Sequence, residues 1–209
     1  MNIMIIAHTD DELLWGWKDL EYETDWLVIC VFQQYNFKGA DTQRLKRFNS
    51  FKKSSEIYNF KYILLDFIDN PNDKLVNYSI QNDMKKKIIE NLPKEYNKIV
   101  THGPEGEYGH YHHKIVSKVV SSIIDNKPKL YYFSFDKNNS SVFSSKYEEC
   151  FKNYFGLPTN TPDCIGHRAL SKISKTINVL EYKNYYNEIV KNIYPKNIIE
   201  AYSGENKYL

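Results

Sequence analysis

Residues 3–12 read Ile-Met-Ile-Ile-Ala-His-Thr-Asp-Asp-Glu, five apolar residues that run straight into an imidazole and a cluster of acids. A continuous apolar, β-rich run without polar alternation is what a strand buried on both faces requires. Four more such runs follow: Trp26 to Phe32 (WLVICVF), Tyr62 to Phe67 (YILLDF), Lys98 to Thr101 (KIVT) and Leu130 to Phe135 (LYYFSF). Between them the pattern turns helical. Asp41 to Tyr58 places Leu45, Phe48, Phe51 and Ser55 on one stripe, and Gln81 to Leu92 stops at Pro93. His113 to Ile124 puts Ile115, Val119, Ser122 and Ile123 on one side. Strands alternating with amphipathic helices predict βαβ units, hence a three-layer α/β fold with a mostly parallel sheet. After about residue 138 the pattern loosens. Irregular structure is expected over 138–146 and 158–164, and one or two helices over Arg168 to Tyr194. No repeat or linker divides the chain, so residues 1–209 are expected to form one domain whose C-terminal third (about 138–209) is less regular.

Composition narrows the function classes. The chain has 209 residues, 42% apolar and 26% charged, with a net charge of +2. That balance speaks against a nucleic-acid partner, which would call for a concentrated basic face. No stretch approaches the ~18 apolar residues of a membrane span. The N-terminus makes a poor signal peptide, because its apolar run is short, unpreceded by basic residues and followed at once by acids. Three cysteines (Cys30, Cys150 and Cys164) without a C-x-x-C pair suit a reducing compartment. A cytoplasmic, disulfide-free protein is expected.

Two clusters carry the chemistry. One is His8-Thr-Asp-Asp-Glu12, directly after the first strand. The other is His102-Gly-Pro-Glu-Gly-Glu-Tyr-Gly-His110-Tyr-His-His113, directly after the fourth. Open parallel sheets bind ligands beyond the carboxyl ends of their strands, so the two clusters can meet although about a hundred residues separate them. Imidazole and carboxylate are good zinc ligands, and a catalytic zinc keeps three protein ligands and an open position. His8 and Asp11 are three residues apart, as are His110 and His113. Asp10 sits beside a candidate ligand, where a carboxylate can take a proton from an attacking water.

The same residues carry a resemblance. AHTDDE (7–12) resembles the AHPDDE signature of the LmbE-like, or PIG-L, N-acetylglucosaminyl deacetylases, and GEYGHYHH (106–113) resembles that family's second motif. The resemblance covers roughly residues 1–135. It implies a Rossmann-like three-layer fold and zinc on His8, Asp11 and His113; because affinity alone does not fix selectivity, iron(II) or another divalent metal could occupy the same set. It implies Asp10 as general base, and His110 as the group that stabilises the oxyanion or protonates the departing amine. Tyr108 matches a tyrosine that helps polarise the carbonyl, and Arg47 an arginine that binds substrate hydroxyl or phosphate. The implied activity is removal of acetyl from an N-acetylated sugar or sugar conjugate. Thr9 stands where the family has proline, and Tyr111-His112 where Pro-Asp or Pro-Gln is common. Motif register favours His113 over His112 as the ligand.

Plainer roles compete. Asp-Asp-Glu after a strand also suits a helix N-terminus, and Glu12 is expected mainly to cap or to support a ligand. His102 is as well suited to a backbone hydrogen bond as to substrate, and His167 reads as structural. Gly103, Gly106 and Gly109 do not have phosphate-loop spacing, which speaks against a nucleotide cofactor. A zinc amidase acting on a non-sugar amide, and an inactive carbohydrate-binding relative, are the alternative functions.

Overall fold

A computed structural model of the chain describes residues 1–35, 40–69, 78–125, 129–135, 141–156 and 162–185. Its elements run β1 (Asn2–Ile6), α1 (Asp11–Leu14), α2 (Trp17–Tyr22), β2 (Trp26–Tyr35), α3 (Ala40–Tyr58), β3 (Lys61–Asp69) and α4 (Tyr78–Asn91). They continue as β4 (Ile99–Thr101), α5 (Tyr111–Ile123), β5 (Leu130–Phe135), α6 (Ser145–Phe155), α7 (Pro162–Ile173), β6 (Ser174–Asn178) and α8 (Val179–Tyr185). The six strands form one sheet in the order β3-β2-β1-β4-β5-β6. Strands β1 to β5 pair in parallel, and β6 closes the edge antiparallel to β5. The fold is the expected mostly parallel α/β sheet covered by helices.

Period-2 alternation sorts the strand side chains onto two cores. Along β1 and the residue after it, Met4 and Ile6 face one side, and Ile3, Ile5 and Ala7 the other. The first face packs against Trp15, Trp17, Phe51, Tyr147 and Phe151. The second meets Met84 and Ile88 of α4 and Val116 and Val120 of α5. Burying an apolar side chain of this size contributes roughly 1.5–3 kcal/mol. Packing onto the sheet therefore dominates over helix propensity.

Four expectations need correction. In α3 the inward stripe is rotated: Leu45 is 59% exposed, while Phe51, Ser54, Ser55 and Tyr58 are buried. The cause is packing against α6 as well as the sheet, seen where Ser50 Oγ donates to Asn153 O at 2.8 Å. In α5 the buried face is Ile115, Val116, Val119 and Val120, and Ser122 is exposed. Helix α6 occupies a region expected to be irregular at its start; Ser144 caps it, and Tyr147, Cys150, Phe151 and Tyr154 face inward at helical spacing. The helical stretch expected over 168–194 breaks after Ile173 into β6 (SKTIN), an edge strand that buries little beyond Ile177 and so leaves almost no apolar signal. Its remainder beyond residue 185 lies outside the described residues, as do 157–161. Cys30 and Cys150 are buried free thiols. No described helix is long and apolar enough to cross a membrane.

The strand order reverses at β1. The chain builds β2 and β3 on one side of it and returns with β4 on the other. The crevice beyond the carboxyl ends of β1 and β4 is the switch point at which such sheets bind ligands. Both sequence clusters open into it.

Candidate metal centre

His8 lies two residues past the end of β1, and His102 directly follows β4. The chain from Gly103 to His110 then turns twice on itself, with Gly106 N donating to Gly103 O at 2.9 Å and Gly109 N to Gly106 O at 2.9 Å. Gly106 has φ +65°, and a Cβ there would lie 2.4 Å from His110 O, so this turn requires glycine. The turn sets His110 at the N-cap of α5 and His112 and His113 in its first turn.

Glu107 organises this loop. It too is left-handed (φ 54°), although it is not glycine. Its side chain compensates: Oε1 accepts from Gly103 N at 2.8 Å, while Oε2 faces His102 Nδ1 at 2.9 Å and His113 Nδ1 at 2.5 Å. Backbone strain of this kind persists only where surrounding contacts overdetermine it, and such sites cluster at functional centres. Burial alone would raise the Glu107 pKa, but the His102 and His113 imidazoles outweigh it and hold it at about 2. The carboxylate stays ionised and fixes both rings.

Those rings stack at 3.8 Å and present Nε2 to Asp11. His102 Nε2 lies 3.3 Å from Asp11 Oδ2, and His113 Nε2 3.3 Å from Asp11 Oδ1. They differ in one respect. Ala7 N–H donates to His102 Nε2 at 3.0 Å, so that lone pair is occupied. Burial lowers the His102 pKa, and the Glu107 and Asp11 carboxylates raise it to about 9, which would favour a charged ring. The Ala7 amide acts on the Nε2 atom itself and fixes the neutral tautomer, with Nδ1–H toward Glu107. His113 Nε2 has no hydrogen-bond partner although it is 1% exposed. With Nδ1–H donated to Glu107, its lone pair faces a carboxylate oxygen, an arrangement that calls for a proton or a metal ion between them.

The structure brings His8, Asp11 and His113 together. His8 Nδ1 is 3.5 Å from Asp11 Oδ2, and the His8 and His113 rings are 5.4 Å apart. Asp11 Oδ2 accepts from His8 N at 2.8 Å and Oδ1 from Trp15 Nε1 at 3.2 Å, which leaves the carboxylate aimed into the crevice. Among the described residues, three donor sets converge closely enough to hold an ion: Asp11–His102–His113, His8–His110–His113 and His8–Asp69–His112. The expected trio draws one or two members from each. The residues present fit a divalent metal: His113 Nε2 and His110 Nδ1 are both buried without a hydrogen-bond partner, and both rings belong to one of these sets.

The remaining candidates line the same place. Asp10, the N-cap residue of α1, lies 3.3 Å from Arg47 Nη2. Arg47 thus reaches the site, with its head on Asp10. Tyr108 stacks on Trp15 at 6.0 Å and meets the edges of His110 and His113. Burial above all lowers the His110 pKa well below the usual imidazole value and keeps the ring neutral. Burial likewise pushes His112 down to about 3. Glu12 neither caps nor touches the proposed ligands; it turns into the core, where Tyr154 Oη donates to it at 2.6 Å. Sequence reasoning gave no role to Glu107 or Asp69 and left His102 open. Asp69, the last residue of β3, could have been found by extending the strand-end rule to a third strand. The role of Glu107 follows from a backbone conformation that its sequence neighbourhood only hints at.

Over 177 residues the chain is 31% identical to "Uncharacterized protein L374" of Acanthamoeba polyphaga mimivirus, covering 73% of this chain and 75% of that one. The chain belongs to the family of L374. No family model matches it. The L374-family fold recurs in solved structures of low identity. A deacetylase involved in the teicoplanin biosynthetic pathway superposes with a TM-score of 0.61 at 14% identity, covering 84% of this chain and 95% of its own. N,N'-diacetylchitobiose deacetylase from Pyrococcus horikoshii gives 0.56 at 10% identity, covering 87% and 85%. The hydratase GalB, for 4-carboxy-2-hydroxymuconate, from Pseudomonas putida gives 0.51 at 12% identity, covering 81% of each chain. The L374-family chain therefore has the LmbE-like deacetylase fold, a scaffold that also supports hydration chemistry.

Proposed function

We propose that this chain is a metal-dependent hydrolase that removes the acetyl group from an N-acetylated sugar or sugar conjugate, releasing acetate and an amine. The observation that carries this reading is the His113 Nε2 lone pair, buried without a hydrogen-bond partner, facing Asp11 and locked from behind by Glu107. His8, Asp11 and His113 hold the ion, zinc by donor type, with iron(II) a possible occupant of the same set. When bound, such an ion supplies Lewis acidity toward the amide carbonyl and acidifies a water. That the fold also occurs in deacetylases of sugar conjugates supports acetamide as the substrate bond.

The chain's own groups supply the rest. Asp10 stands next to the ion's ligands with its charge balanced by Arg47, and takes the proton of the attacking water. His110, held neutral, donates a hydrogen bond to the developing oxyanion rather than storing a proton. Tyr108, fixed on Trp15, lies against the same two imidazoles and helps polarise the carbonyl. Arg47, 40% exposed in its side chain with its head on Asp10, is placed to meet a substrate hydroxyl or phosphate. In this proposal residues 1–209 act as one catalytic domain in the cytoplasm.

The test separates binding from turnover. Asp10→Ala should retain metal while acetate release from N-acetylglucosamine derivatives falls about 10²–10⁴-fold. Wild-type turnover in Asp10→Ala rules out the base. A substrate panel that includes non-sugar acetamides settles which amide is cleaved.

A further inference from the structure

The His8 ring has a second side. Its Nε2 points away from Asp11, lying 3.1 Å from His112 Nδ1 and 3.8 Å from Asp69 Oδ2. His112 Nδ1 is 3.4 Å from Asp69 Oδ1. Three elements converge here: the turn after β1, the first turn of α5 and the last residue of β3. His112 is buried and held in plane by Phe32, whose ring stacks on it at 4.1 Å and 19°.

The two ring nitrogens share one hydrogen bond at 3.1 Å, and the Asp69 carboxylate stands beside both. Two imidazole nitrogens and a carboxylate, brought together from three elements, offer a divalent cation three ligand atoms within 4.8 Å of one another. With bonds of about 2.0–2.1 Å, donors around a tetrahedral zinc sit about 3.3–3.4 Å apart, close to the 3.1 Å between the two ring nitrogens and the 3.4 Å from His112 Nδ1 to Asp69 Oδ1.

We propose that His8, His112 and Asp69 form a second divalent-cation site, which shares the His8 ring with the Asp11–His113 set through its other nitrogen. The proposal rests on the metal reading of the first site for its neighbour, but His112 and Asp69 belong to the second site alone. Two imidazoles and one carboxylate select a zinc-like transition ion; calcium and magnesium prefer all-oxygen cages. Any proton on His8 Nε2 would have to leave to solvent for that nitrogen to serve as a ligand, so the second equivalent would be the more weakly held.

Equilibrium dialysis of metal-free protein against zinc, repeated with cobalt(II) for its absorption bands, tests this. Wild type should take up two equivalents in two steps. Asp69→Asn and His112→Gln, each shown to be folded by circular dichroism, should keep the first equivalent and lose the second. A single equivalent in wild type overturns the second site and leaves the first standing, with Asp69 and His112 reduced to groups that orient His8. No uptake at all overturns both. Two equivalents in wild type and in both variants place the second ion elsewhere and also overturn the proposal.

Discussion

Glu107 combines a left-handed backbone with a carboxylate that holds Gly103, His102 and His113 together, so its side chain and its strain belong to one device. Groups that orient a metal ligand typically account for about 10–100-fold in metal affinity. Glu107→Gln and Glu107→Gly should both lose affinity in that range, measured by competition with a chelator, although glycine relieves the positive φ. Affinity retained in Glu107→Gly would show that only the backbone matters there. Of the residues lining the candidate site, His8, Asp10, Asp11, His110 and His113 stand out in the sequence because they lie between a strand end and the first turn of a helix, in types that suit a metal. Glu107 was not legible, because its importance comes from a dihedral angle and two ring contacts. Asp69 was hidden because it ends a strand that carries no histidine.

At the scale of elements, the loop from Gly103 to His110 delivers α5 and its imidazoles to the crevice. Gly106→Ala would force a Cβ to within 2.4 Å of His110 O at φ +65°. Strain of this kind costs about 1–3 kcal/mol, to be read as a drop in unfolding free energy in urea. Unchanged stability would mean that the turn relaxes without cost. The central strands were legible because a parallel sheet buries both faces, as in β1, where all five residues are buried. Strand β6 was not, since an antiparallel edge needs only backbone pairing. The stripes of α3 and α5 were misplaced for a related reason: helical periodicity gives a face, but contacts with α6 and with the site decide which face turns inward.

For the whole molecule, the fold places one misfit acid in its core. Glu12 is fully buried, and burial raises its carboxyl from near 4.5 to about 8 against the opposing Tyr154 hydrogen bond. Because the folded value exceeds the unfolded one, the folded chain keeps a proton that the unfolded chain loses. This stabilising contribution is complete below pH 4.5 and disappears as pH rises to about 8. Melting temperature should therefore fall across that window. Glu12→Gln should flatten the profile and be more stable at its upper end by roughly 3–5 kcal/mol. A flat wild-type profile would contradict a buried, protonated Glu12.

The sheet also brings two distant clusters to one switch point, where we propose that they hold a catalytic metal. The most direct measurement is metal content of purified wild type beside His113→Ala, with acetate release from N-acetylglucosamine derivatives assayed on the same samples. The expected result is a tightly held zinc in wild type that is lost in His113→Ala together with acetate release. A metal-free wild type that stays inactive after zinc is added would contradict the claim and point to a binding protein built on a hydrolase fold.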